Sequence, residues 1–230
     1  MTTAAENRTG SGAIDTDEFP RPGRRKRFLR EPFRIIRANL GAYLAINALV
    51  YGLFLVGVGA GLLFPELTAA RSNTLTQDGT ADLVGMVLGN MWLFSLTIFL
   101  VNTITVGIVK ILLPSVVVPF AGIAVYAYWA FTTGVTLAPV NEVMAKTMIP
   151  HSLTVIIEFQ AYAVLLLGAY LIGRSWLRPA TVGAGSRRRG YVLGLKQFGW
   201  LTLPALVLFV LGAVYEAFEI IHLVPLLLAP

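Results

Sequence analysis

From Val84 to Val135 the chain is apolar throughout, with Lys110 as its single charge. A membrane-crossing helix needs about 20 mostly apolar residues. A run of this length is too long for one crossing, so it has to fold back on itself, and Pro114 and Pro119 mark where. The rest of the chain points the same way. Hydrophobic residues make up 56% and charged residues 13%, about half the ~25% charged share of soluble domains. This balance excludes a disordered chain and a charged nucleic-acid-binding domain, so no nucleic acid is expected as a partner. The absence of cysteine removes disulfides, thiol catalysis, zinc fingers and Cys-ligated clusters together.

Residue patterning predicts an all-α, polytopic helical bundle of about five spans, over residues 39–64, 83–113, 115–137, 149–173 and 197–228. Four or six spans stay open as alternatives, because little separates the second span from the third. The first span follows a 38-residue polar leader, which marks it as a retained anchor rather than a signal peptide. Residues 1–23 read as a disordered cytoplasmic tail. Of the 18 Lys and Arg residues, only Arg71 and Lys146 fall opposite the N-terminus in this arrangement. The positive-inside rule then predicts a multi-pass cell-membrane protein with its N-terminus inside and its C-terminus outside. Gly57-x-x-x-Gly61 and Gly85-x-x-x-Gly89 offer small-residue packing faces.

Just ahead of the first span, Arg24, Arg25, Lys26, Arg27, Arg30, Arg34 and Arg37 face a single acid, Glu31. Leu29, Phe33, Ile36 and Leu40 recur at helical spacing, and Pro32 suits the first turn of a helix over about residues 32–39. Residues 24–38 thus read as a basic amphipathic segment lying on anionic lipid headgroups. A solvated basic flank is the alternative.

Ionisable groups inside hydrocarbon are costly and mark a partner or a task. They are Glu158 in the fourth predicted span and Glu216 and Glu219 in the fifth, with His151 and His222 near the outer ends of the same helices. His151 and Glu158 are two turns apart on one face, about 10 Å along the axis. On an antiparallel fifth helix, Glu216 lies about 9 Å below His222, so Glu158 and Glu216 fall at matching depth. The five groups can share one cluster if the two helices are neighbours. Three readings stay open: a structural cluster of neutral, hydrogen-bonded acids, a cation site, or a proton or solute path. Asn47, Asn90 and Asn102 add amides to the first two spans, and Asn102 is the candidate partner for Glu158. Trp176 and Trp200 suit an interfacial belt.

No HExxH, G-x-S-x-G, P-loop or G-x-G-x-x-G occurs, and adjacent His151 and Ser152 would point about 100° apart on a helix. No catalytic residue, metal or cofactor is expected, and no enzyme.

Ile149-Pro150-His151-Ser152 followed by Glu158 resembles the Pro-His-Gly…Glu signature of the stage II sporulation protein M family. Leu211-Gly212-Ala213-Val214-Tyr215-Glu216-Ala217-Phe218 resembles that family's last span, and Asn102 matches the second of its paired asparagines. Ser152 stands at the family's glycine and Val101 at the first asparagine. The resemblance covers roughly residues 83–228. It implies a membrane scaffold or assembly factor for cell-envelope machinery, working through other membrane or envelope proteins and, as an option, through further copies of itself. The alternative expectation is a small transporter or permease subunit using the Glu/His cluster. The basic leader is also similar to that of type-2 ABC exporter permeases.

Overall fold

The computed structural model describes residues 22–229, with side chains described from residue 30 onward except at Ala81. The expected tail therefore lies outside the described residues up to residue 21, as do the side chains of Arg24, Arg25, Lys26 and Arg27. Among the described residues every regular element is helical. Helix α1 spans Pro22–Ala38, α2 Leu40–Leu63, α3 Pro65–Gln77 and α4 Thr80–Val87. Helix α5 (Met91–Leu100) runs on through a π-helical stretch, Val101–Leu112, into α6 (Leu113–Val117). Next come α7 (Ala121–Thr136) and α8 (Glu142–Leu177), then a 3-10 turn at Pro179–Val182. Helix α9 (Arg187–Phe218) passes through a second π segment, Glu219–Leu223, into α10 (Val224–Leu228).

Among the described residues four helical rods, not five, are long and apolar enough to cross a membrane: Leu40–Leu63, Met91–Val117, Glu142–Leu177 and Arg187–Leu228. The expected third span shrinks to α7, 16 residues or about 24 Å, short of the ~30 Å hydrocarbon layer. The expected second span begins late. Leu83–Val87 is apolar in composition, but the chain breaks before Met91, where the Asn90 side chain accepts the amide N–H groups of Trp92 (3.0 Å) and Leu93 (3.1 Å). Asn90 is thus a helix cap rather than an amide inside a span.

Helix α8 is the axis of the bundle. Of its most apolar stretch 72% is buried, against 22–33% for the other three rods. It rises from an N-cap at Asn141, whose side chain accepts the Met144 N–H at 2.9 Å. Taken in chain order with α8 itself, the long helices packed on it alternate in direction. Asn39 at the start of α2 accepts a hydrogen bond from Arg174 near the end of α8 (2.9 Å), while Tyr51, further along α2, reaches the Ile156 carbonyl. The α5–π rod runs parallel to α8, with Asn102 beside Tyr162 and Gly107 beside Leu165. Helix α7 is antiparallel to α8, pairing Phe120 with Tyr170 and Tyr126 with Tyr162. Helix α9 is antiparallel too, with Gly190 against Ser175, Phe198 against Gly168 and Gly212 against Glu158.

Glycines set two of these approaches. On the seam between α2 and α7, a Cβ on Gly134 would lie 2.1 Å from the Phe54 carbonyl oxygen, and one on Gly57 2.1 Å from that of Phe131. Gly61 continues the seam against Val135 and Ala138. Gly85 and Gly89 have open space around them, so the second predicted packing face makes none of these approaches.

The turn that the long apolar run demands lies at Val118–Phe120. Phe120 adopts φ 67°, a left-handed backbone that costs a non-glycine residue on the order of 1 kcal/mol. Its ring packs onto Gly173 and 5.9 Å from Tyr170, which offsets that cost. The Ser115 hydroxyl accepts the Gly122 N–H across the turn at 3.1 Å. Helix α1 starts ten residues earlier than the expected helix over about residues 32–39. Pro32 therefore lies inside the helix, not in its first turn. Pro32 and Ile35 are buried, Ile35 as part of the main core, while Phe33 stays 60% exposed. The inward-facing apolar residue is thus Ile35, one position off the expected series.

Candidate functional site

Helices α5–π, α8 and α9 converge on a buried polar cluster near the end of the bundle opposite Arg174. Asn102 is the second residue of the first π stretch and is buried. Its Nδ2 donates to Oε1 of Glu158, and its Oδ1 accepts the Tyr162 hydroxyl at 2.9 Å. Both functions of the amide are thereby used, which fixes its orientation. Tyr162 is fully buried, wedged between Tyr126 and Phe209 at ring separations of 5.0 and 4.9 Å. Gly212 on α9 faces Glu158; a Cβ there would sit 3.1 Å from the glutamate's Cγ. That opening lets Glu158 reach across to α9.

Glu158 on α8 and Glu216 on α9 come close enough to interact directly. Two like charges at close range in an apolar interior repel, so the pair suits a single shared charge. Just under one turn beyond Glu216, Glu219 is completely buried and opens the second π segment. Its Oε1 lies 2.5 Å from Nδ1 of His151, and its Oε2 has no hydrogen-bond partner among the described residues. The His151 side chain keeps 15% of its surface exposed, so it is the cluster's outlet toward that end of the bundle. Tyr215 donates to the Pro150 carbonyl at 3.3 Å and ties the same two helices together.

Of the predicted residues, Asn102, His151, Glu158, Glu216 and Glu219 come together and His222 does not. His222 is exposed, with its ring 5.2 Å from Phe218. Each three-residue step on an α-helix drifts about 60° around the axis. Two steps from Glu216 carry position 222 off the shared face. Among the described residues no set of three or more His, Cys, Asp or Glu side chains is placed to hold a metal ion. Of the predicted basic residues, Arg30, Arg34 and Arg37 lie with Phe33 and Ala38 around a surface groove on α1. Arg34 pairs with Glu31 through Nε (3.0 Å) and Nη2.

A second polar network was missed by the reading of the sequence. Gln160 donates to Asn47 Oδ1 (2.8 Å) and to the Tyr51 hydroxyl (2.9 Å), and it accepts from the Tyr43 hydroxyl (2.6 Å). Tyr43, Asn47 and Tyr51 follow one another at four-residue steps, so they share one face of α2. That stripe was the available signal, and it faces the side of α8 turned away from the acids.

Over the described residues, fold and site together define an all-helical protein with four helices suited to crossing a membrane and a cluster of three acids and a histidine, Glu219 buried and the others half-buried, between two of them. No family model, curated protein or solved structure matches the chain.

Proposed function

We propose that this chain is a small proton- or cation-handling membrane protein, the transporter or permease subunit of the two expectations. The close approach of Glu158 and Glu216 between α8 and α9 carries the reading. Two acids sharing a proton inside an apolar bundle form a site that can load and release charge, and ionisable groups at such depth are functional by default. His151 and Glu219 extend the site toward the end of the bundle. Asn102 and Glu219 each lie in the first two residues of a π-helical segment, a distortion frequent at functional sites. Charge passes between the bundle end and the Glu158–Glu216 pair by way of Glu219 and His151. The role is non-enzymatic.

The test uses the full chain in liposomes carrying a pH-sensitive dye. With an imposed pH or sodium gradient, wild type equilibrates it faster than empty liposomes. Glu158→Gln and Glu216→Gln, which keep shape and hydrogen-bonding capacity, drop to the empty rate. Wild type at the empty rate, or variants matching wild type, would overturn the reading.

The same proposal includes five crossings in the cell membrane with a cytoplasmic N-terminus. The alternating directions of α2, α5–α6, α7, α8 and α9 support α7 as the short fifth crossing, and the Lys/Arg distribution supports the orientation. Because the chain lacks cysteine, Ser72→Cys and Gly185→Cys report topology cleanly. A membrane-impermeant thiol reagent should label position 72 on intact cells and position 185 only after permeabilisation. The opposite pattern refutes the orientation, and equal labelling refutes an odd number of crossings between them.

A second reading, the envelope scaffold with kinship to the stage II sporulation protein M family, is favoured by one feature. Phe33 stands exposed among Arg30, Arg34 and Arg37 on α1, a face suited to anionic headgroups or to another envelope protein. In that case Glu158→Gln leaves function intact, and charge removal on α1 abolishes partner recovery.

A further inference from the structure

At the opposite end of the bundle from the acid cluster, a cavity of about 480 Å³ opens between α1, α8 and α9. Its size falls within the ~300–1,000 Å³ range of small-ligand sites. Its lining includes Asn39, Arg174, Lys196, Gln197, Trp200 and Glu31. Arg174 is held in place by two contacts. Its Nη1 donates to Asn39 at 2.9 Å, and its guanidinium lies 5.6 Å from the Tyr170 ring centre. Among the described residues its Nε and the Gln197 side-chain oxygen have no hydrogen-bond partner, and both are sealed from solvent, so neither is what the cavity presents. The lining presents the Arg174 guanidinium charge beside the Lys196 ammonium, a pairing that suits a ligand with an anionic oxygen.

Lys196 is exposed at the rim and adds a second positive charge. The acid on the lining, Glu31, is engaged by two guanidinium nitrogens of Arg34. That bond holds its carboxyl below the ordinary range, with smaller help from Lys196. Glu31 therefore does not leave the cavity acidic.

We infer that this cavity is a headgroup site for an anionic glycerophospholipid, whose phosphate lies between the Arg174 guanidinium and Lys196. Its position supports a lipid as the source of the phosphate. It sits where α1 leaves the bundle, beside the basic Phe33 face, with Trp200 on its lining. A phosphodiester suits a guanidinium and an ammonium. The site is separate from the acid cluster, so it stands or falls independently of proton handling.

The test uses the purified, delipidated full chain and native mass spectrometry with added phosphatidylglycerol, phosphatidylcholine or inorganic phosphate. Phosphatidylglycerol should bind at low occupancy number and resist displacement by phosphatidylcholine. Arg174→Gln and Lys196→Gln should each weaken it about tenfold, or about 1.4 kcal/mol. Arg30→Gln/Arg37→Gln, which alters the surface groove alone, should change it less than twofold. Lys196 is exposed, so its variant folds even if loss of the Arg174–Asn39 bond unfolds the other. Equal loss in the groove variant would reduce the effect to general surface charge, and unchanged binding in Lys196→Gln would remove the site. Displacement of the lipid by inorganic phosphate would assign the cavity to a free anion instead. Each of these three outcomes overturns the inference.

Discussion

Removing the Asn102 amide is the most direct test of how the acid cluster is held. Asn102 spends its Nδ2 on Glu158 and its Oδ1 on Tyr162. Hydrogen bonds between helices in an apolar bundle are worth about 0.6 kcal/mol on average and up to about 1.7. Asn102→Ala loses two of them and also strands the fully buried Tyr162 hydroxyl, a desolvation cost of about 1–3 kcal/mol. Residual hydration and relaxation take back part of this, so a loss of about 2–4 kcal/mol is expected. Tyr162→Phe loses one bond, about 0.6–1.7 kcal/mol. In the double variant no hydroxyl is stranded and the shared bond is lost once, so the combined loss should fall short of the sum by about 2 kcal/mol. The assay is reversible unfolding in mixed micelles, read by tryptophan fluorescence as denaturing detergent is titrated. A loss below about 0.5 kcal/mol for Asn102→Ala, or additivity within about 0.3 kcal/mol, would show that the amide serves only its own helix. The account of the cluster would then fail at its first link.

Two other perturbations follow from the same structure. Gly134→Leu drives a side chain into the Phe54 carbonyl and should cost at least about 1–3 kcal/mol, the range for overpacking. Gly85→Ala, with open space around it, should stay within about 0.5 kcal/mol; similar losses at both sites in the same unfolding assay would refute the α2–α7 seam. At the turn before α4, the Asp78 carboxylate accepts the Thr80 hydroxyl (2.6 Å) and N–H (3.0 Å). The Thr80 hydroxyl bond first, and the backbone bond second, hold its carboxyl below the ordinary value of 3.8. A carboxyl depressed on folding stabilises the turn above that value and loses the contribution as pH falls through the folded one. Amide protection in residues 80–83, taken against the intrinsic exchange rate at each pH, should therefore fall on acidification below about pH 3.8, and Asp78→Asn should abolish that fall. Protection that is flat with pH in the native chain would refute it.

The parts of this fold that could be read from residues were those governed by length and periodicity. An apolar run from Val84 to Val135 cannot stay one helix, and the reversal sits at Val118–Phe120, between the helix containing Pro114 and the one that follows Pro119. The matching depths of Glu158 and Glu216 come from counting 1.5 Å per residue along two antiparallel rods. Parts that depended on local hydrogen bonding could not be read so. Leu83–Val87 is as apolar as a span, and only the capping of Trp92 and Leu93 by Asn90 moves the start of the rod to Met91. The two π segments change which side chains share a face, and residue spacing on a 3.6-residue helix is blind to them. Gln160 was overlooked because its partners are on α2, more than a hundred positions away in the chain.

The two networks on α8 explain why that helix can be both the most buried and among the more polar of the rods. Glu158, Gln160 and Tyr162 lie within five positions, yet they serve different neighbours. Gln160 is bound by the Tyr43–Asn47–Tyr51 stripe on α2, whereas Glu158 and Tyr162 share Asn102 and Glu158 goes on to Glu216. The first network is an amide satisfied by amide and phenol groups, which have no charge to give up near neutral pH. It can only hold α2 to α8. The second contains acids and a histidine, whose charge depends on where one proton sits. Division of this kind leaves the α2–α8 contact fixed while the α5–π rod and α9 are the elements able to respond to that proton. Both of those rods, and neither α2 nor α8, contain the π-helical segments.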